Sequence, residues 1–166
     1  KTRHVEFTSK ANFLPGLHLS IVHDVTERHY AQQRLREAEE NYRRLVEFCP
    51  DGITVICDDK VAYVNQACLD MLGASNPCQV LGRHPSDFVH PDYEATRQAR
   101  FKRIHEGSDV APVITVRLLR LDGTEMVAET SSMSLVYNGK PAVQSVMRDI
   151  TLRRRAEEAL STTQLR

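Results

Sequence analysis

The sequence predicts an α+β fold, an antiparallel sheet with its helices to one side. Three observations carry that expectation. Short strand-like runs come first as a pair and, after two helical segments, as a set of three. Turn dipeptides separate the last three, at Asp122-Gly123 and Asn138-Gly139. A strand-to-helix motif also occurs twice, near the two ends, and frames the unit between.

The repeat is read by setting His18–Arg28 against Val143–Arg153, an offset of 125 residues from Asp24 to Asp149. Ser, Asp, Thr and Arg recur in register with aliphatic residues between them, and Ala31 and Leu35 find matches in Ala156 and Leu160. Each copy reads as a strand running into a helix. In the first, Leu17, Leu19 and Ile21 alternate with His18, Ser20 and Val22. Thr26 and Thr151 suit helix N-caps, because a Thr hydroxyl can accept from free first-turn amides. Asp24 and Asp149 place negative charge at the positive helix end. Residues 1–25 are therefore expected to be the C-terminal hairpin of a preceding unit, Val5 and Phe7 alternating in its first strand and Pro15-Gly16 turning it. A lone hairpin is marginal in water, so it should pack on something, in the same chain or across a dimer.

Residues 26–47 hold no Pro or Gly and predict the connecting helix. Ala31, Leu35, Ala38, Tyr42 and Leu45 are spaced 4, 3, 4, 3, a heptad seam that predicts pairing with a second copy. Glu39–Arg43 and Glu40–Arg44 support the charged faces. A single amphipathic helix on its own domain is the other reading. Pro50-Asp51-Gly52 ends the helix.

Residues 48–151 form the complete unit. Ile53–Ile56 and Val61–Val64 are strands about an Asp58-Asp59-Lys60 turn. Asn65 caps a short helix that stops at Gly73, and residues 74–90 are turn-rich. A longer helix runs from Pro91 to His105, with Pro at its first position and Asp92 and Glu94 in its first turn. Strands at 113–121, 125–137 and 142–149 follow, and residues 152–166 begin a last helix.

The stretches P-D-G-I (Pro50–Ile53), V-N-Q-A (Val64–Ala67), Leu72-Gly73, V-H-P-D (Val89–Asp92), L-D-G-T (Leu121–Thr124) and R-D-I-T (Arg148–Thr151) resemble, in order and spacing, the PAS family. The resemblance covers residues 42–152 in full and 1–26 as a partial copy. It implies a five-stranded antiparallel sheet cupping a pocket under short helices, a coiled-coil-like helix before it and an output helix starting at the D-x-T motif. It also implies a homodimer through the flanking helices. Such domains occur in sensor histidine kinases and cyclic-di-nucleotide turnover proteins, where they adjoin other PAS units and an output domain.

Met126, Ala128, Thr130 and Ser132 share one strand parity, and Ser145 and Met147 another. Set against Phe88, Tyr93, Phe101 and Ile104, these small, hydroxylated or flexible side chains suit a small-ligand pocket. A packed core is the alternative, since parity slips by one residue easily. No cofactor is favoured. Flavin photosensors of the family carry a reactive Cys in an N-C-R-F-L-type motif, which is absent. Haem-binding members supply a His from the long helix, where this chain has Thr96, Ala99, Arg100 and Arg103. His84, His90 and His105 read as surface or capping residues. Haem and flavin stay as minor options.

Equal numbers of acidic and basic residues, 22 each, give no global pull toward nucleic acid. No apolar run approaches the roughly 20 residues that span a bilayer. The four cysteines form no C-x-x-C pair and read as reduced thiols of a cytoplasmic protein. No phosphate loop, nucleophile elbow or metal-binding spacing is present, so no catalytic or metal residue is expected. The function expected is a signal relay, either sensing a small ligand or acting as a ligand-free dimerisation scaffold.

Overall fold

Strands β1 (Val5–Leu14) and β2 (Leu17–Asp24) form an antiparallel hairpin turned at Gly16, whose φ is +78°. Helix α1 (Thr26–Glu47) follows. The computed structural model describes residues 2–164, with the side chains of 11–14, 17–18 and 161–164 outside that description. The facing expected for Leu17 and the last two residues of the terminal helix lie outside the described residues. The chain divides into two compact units, Lys1–Leu45 and Val46–Arg166. In the first, Phe7, Ile21 and Val22 are exposed and α1 buries no residue.

The second unit is an α+β fold. Its five-stranded antiparallel sheet has the order β4-β3-β7-β6-β5. The strands are β3 (Gly52–Cys57), β4 (Lys60–Val64), β5 (Val110–Leu119), β6 (Glu125–Tyr137) and β7 (Lys140–Asp149). β5 begins three residues before the expected 113 and stops at Leu119, because Arg120 closes the Asp122-Gly123 turn by pairing with Thr124. Helices α2 (Gln66–Leu72) and α3 (Pro91–His105) lie on one face, joined through 3-10 turns at Pro77–Gln79 and Pro85–Phe88. Helix α4 (Thr151–Gln164) leaves from the end of β7.

Local chemistry explains each turn. Asp58 and Asp59 both take positive φ, +52° and +57°, giving β3 and β4 the backbone twist of a type I′ turn. Asn138 and Gly139 repeat it between β6 and β7. At Gly52 the reason for glycine is space: a Cβ there would stand 3.2 Å from the Cys68 Cα on α2. That approach lets Cys68, Leu69 and Leu72 join Val64, Val80, Phe88, Val116, Leu118 and Met126 in the main core. A second, smaller cluster holds Ile104, Ala111 and Val143, with Phe101 against it.

Asn65 ties this unit together. It is fully buried. Its Oδ1 accepts from the Ile53 amide at 2.8 Å and the Cys68 amide at 3.0 Å, and its Nδ2 donates to the Val46 and Asp51 carbonyls, both at 3.0 Å. All four hydrogen-bonding positions of the amide are used. One side chain thereby joins the end of α1, the linker, β3 and α2.

Asn65→Ala would strand the Ile53 and Cys68 amides and take a donor from the half-buried Asp51 carbonyl, while the Val46 carbonyl keeps the Cys49 amide at 3.3 Å. At about 1–3 kcal/mol for a buried unsatisfied group, partly relieved by relaxation, a loss of roughly 3 kcal/mol is expected in urea unfolding. A loss below about 1 kcal/mol would contradict this account. The thiols give a second check. Burial pushes the Cys68 thiol up to about 12, whereas Cys78 is exposed. Iodoacetamide should label Cys78 in the native protein and spare Cys68 until denaturant is added, as read by peptide mass mapping.

Candidate functional site

A cavity of about 90 Å³ lies between α3 and the sheet. Alternation along the strands decides what faces it. Thr54 pairs with Ser145 across β3 and β7, and Ser145 with Ser132 across β7 and β6. Paired residues share a face, so these three hydroxyls form a row across the cavity floor. Ser132 and Ser145 are buried, and their hydroxyl oxygens are 2.9 Å apart, a hydrogen bond. The next row brings Met147, Thr130 and Ile114 side by side. Ile56, Val61, Leu72, Val80, Phe88, Val116 and Leu118 make the remaining floor and the far wall apolar.

Helix α3 supplies the roof with Tyr93, Arg97, Arg100 and Phe101, at helical spacing. The two arginines differ. Arg97 forms a bidentate pair with Glu94, at 2.6 and 2.9 Å, and stacks over the Phe101 ring. That guanidinium holds the Glu94 carboxyl below its usual range. Arg100 donates only to backbone carbonyls, to Pro112 at 2.6 Å and Thr130 at 3.5 Å. Among the described residues no carboxylate lies within ion-pair distance of it. Burial, with Arg103 nearby, lowers its pKa.

Of the residues read from sequence as pocket candidates, Phe88, Tyr93, Phe101, Thr130, Ser132, Ser145 and Met147 line the cavity. Ile104 and Met126 do not. Ile104 lies one helical turn past Phe101 and packs on Ala111 and Val143. Met126 has the parity of Thr130 and Ser132 but sits four residues before Thr130, sealed in the main core opposite Leu118. Thr54, Ile56, Val80, Arg97, Arg100 and Leu118 line the cavity without having been among those candidates. Arg97 could have been found, because it stands four residues from both Tyr93 and Phe101 on one stripe. His84 and His90 cap the segments they precede, each Nδ1 accepting an amide two residues on at 3.2 Å. His105 bonds the Phe101 carbonyl at 2.8 Å. Among the described residues no group of three His, Cys, Asp or Glu side chains could hold a metal.

The relay candidates form two copies of one latch. The Asp149 carboxylate accepts the Thr151 amide at 2.8 Å. The Thr151 hydroxyl accepts the Val127 amide at 2.9 Å, and the Ile150 amide donates to the Val127 carbonyl at 2.8 Å. In the first unit Asp24 accepts from Thr26 at 3.0 Å, Thr26 accepts the His4 amide at 2.9 Å, and Val25 donates to the His4 carbonyl at 2.9 Å. The second copy has an added clamp: Arg120 donates to Asp149 at 2.9 Å and also to the Met71 carbonyl at the end of α2. Burial would raise the Asp149 carboxyl, but the Thr151 hydroxyl and amide and the Arg120 guanidinium outweigh it and hold the carboxyl below its usual range. The expected seam residues Ala31, Leu35, Ala38, Tyr42 and Leu45 are all exposed.

Asp51, paired with Arg148 at 2.8 and 2.9 Å, is lowered as well. Depressed carboxyls stabilise the fold above their unfolded values, 3.8 for Asp and 4.5 for Glu, and that contribution fades as pH falls through the folded values. The melting temperature should therefore hold from about pH 7 to 5 and drop below about pH 4. Arg148→Met should shrink the acid-side drop; an unchanged profile would remove the Asp51 pair from this account.

Comparison with known proteins places this geometry. A family model described as PAS domain matches residues 50–152. The chain is 30% identical over 127 residues to sporulation kinase A of Bacillus subtilis, covering 76% of this chain and 21% of that protein. It is 33% identical over 153 residues to the two-component sensor PprA of Pseudomonas aeruginosa, covering 91% and 16%. It thus spans about a fifth or less of the curated relatives it matches. The PAS domain of an HTR-like protein from Haloarcula marismortui superposes with a TM-score of 0.58 at 25% identity, covering 74% of this chain and 99% of that one. With its helices over one face of a five-stranded antiparallel sheet, this chain belongs to the PAS domain family.

Proposed function

We propose that this chain is a non-catalytic relay within a tandem PAS array, in which occupation of the cavity is passed through the sheet to α4 and on to a downstream kinase or cyclic-di-nucleotide domain. One observation carries the reading: the strands that floor the cavity are the strands that hold α4. On β7, Met147 lines the cavity and Asp149, two residues on, accepts the α4 amide. On β6, Thr130 lines the cavity, and the amide of Val127, three residues back, donates to the Thr151 hydroxyl. A ligand that favours one position of these strands biases the helix start by its difference in affinity for the two states. The kinship with sensor kinases supports a sensory signalling module.

The repeated latch supports residues 1–25 as the end of a preceding PAS-like unit. The exposed stripe on α1 supports a homodimer and favours a second reading, a ligand-free scaffold that passes strain from α1 to α4. The cavity bears on cofactors too. Its volume is below the ~150 Å³ that holds benzene, so neither haem nor flavin fits it as it stands.

Asp149→Ala and Thr151→Ala should each uncouple output in the parent protein while leaving the domain folded; unchanged output in both would sink the relay. For the dimer, Leu35→Glu with Leu45→Glu should turn a dimer into a monomer by light scattering. A wild-type monomer at high concentration would overturn the seam. Native mass spectrometry separates the two readings, since added mass supports sensing and a bare chain the scaffold.

A further inference from the structure

The cavity is amphiphilic along its length. Ser132 stands opposite Ala111 and Thr130 opposite Ile114, so the Pro112 and Thr130 carbonyls that hold Arg100 flank the level of the hydroxyl row. One end therefore carries a guanidinium and the hydroxyls of Ser132, Ser145 and Thr54. The other end is the apolar wall of Val80, Phe88 and Leu118.

Charge selects among ligands that fit. Arg97 is matched by Glu94, whereas Arg100 brings a positive charge to the cavity with only carbonyl dipoles to meet it. Two of its five N–H donors are engaged there. A half-buried cation of this kind lacks a counter-charge, and a planar carboxylate matches the guanidinium fork. Scaling from benzene in ~150 Å³ and a water share of ~30 Å³, the space suits about three to four non-hydrogen atoms.

We propose that the cavity binds a short monocarboxylate, its carboxylate on Arg100 beside the Ser132–Ser145 hydroxyls and its alkyl end against Met147 and Ile114 in the next row toward the apolar wall. This rests on the sensing reading above and adds the ligand class to it. A cation would meet Arg100 unfavourably, and inorganic phosphate would leave the apolar wall without a partner.

Amide NMR titration of the whole chain tests it, with sodium acetate, acetamide and sodium phosphate at matched ionic strength as probes. Acetate should give saturable shifts at Thr130, Ser132 and Ser145, with acetamide weaker by about tenfold. R100Q should lose that preference and R100K keep part of it, each with a dispersed spectrum. Should R100Q prove unfolded, R100K and T54V carry the test, each expected to weaken acetate severalfold. Equal binding of acetate and acetamide, stronger binding of phosphate, or full acetate affinity in the variants would overturn the carboxylate assignment and leave the sensing reading standing. No saturable shift at these amides with any probe would overturn the assignment, and a bare chain by native mass spectrometry would then remove the sensing reading too.

Discussion

The four hydrogen bonds of Asn65 are the constraint on which the second unit depends. A short helix such as α2 has too few internal hydrogen bonds to hold itself in water. It stays because Asn65 caps it while bonding the first residues of β3. The same amide holds the carbonyls of Val46 and Asp51, tying the first residues of the second unit to its sheet. Once α2 is docked, Leu69 and Leu72 are buried, and the backbone of Leu72 accepts from Leu121. The β5–β6 turn is thereby joined to the helix layer, and a cavity can exist under α3 without the layers collapsing onto each other.

The cavity and the α4 latch are two uses of one sheet. An antiparallel ladder of β6 and β7 runs unbroken from Ala128–Asp149 to Tyr137–Lys140. Thr130 and Met147, which line the cavity, thus lie on the same ladder as Asp149. Arg120 holds Asp149 and the end of α2 at once. The first unit has the Asp24–Thr26–His4 latch, and there Arg3 approaches Asp24 at 3.7 Å from an exposed position. An exposed pair of that length contributes little, so the two latches share a geometry but differ in how firmly they are held.

Much of this architecture is legible in the sequence for reasons that can be named. Asn-Gly and Asp-Gly turns require particular backbone angles, and Asn65 follows a strand and precedes an apolar helical stripe, so the elements could be placed. The longest strand, β6, could be given a parity, and Thr130 and Ser132 do lie on the helix-covered face. Position along a strand or helix is another matter. Met126 and Ile104 sit on the faces expected of them, yet each lies beyond the cavity's end, because a face says nothing about where α2 and α3 stop covering it. Thr54 could not be read as lining, since β3 is buried on both faces and shows no alternation. Arg97 and Arg100 look alike in sequence; only the geometry gives Glu94 to one and carbonyls to the other.

The first unit presents the remaining physical question. A two-stranded hairpin is marginal alone, and a helix that buries nothing draws no support from packing. Phe7 is 64% exposed, Tyr42 67% and Leu45 74%. Surface of this kind exceeds what single scattered apolar residues need explain. The alternation of β1 and the heptad spacing of α1 put the apolar side chains on defined faces, and a defined face is what a specific contact needs. If the hairpin is the end of a preceding domain, the rest of that domain covers β1 and β2. If α1 pairs with a second copy, its stripe is covered as well. Val46–Arg166, by contrast, carries its own core.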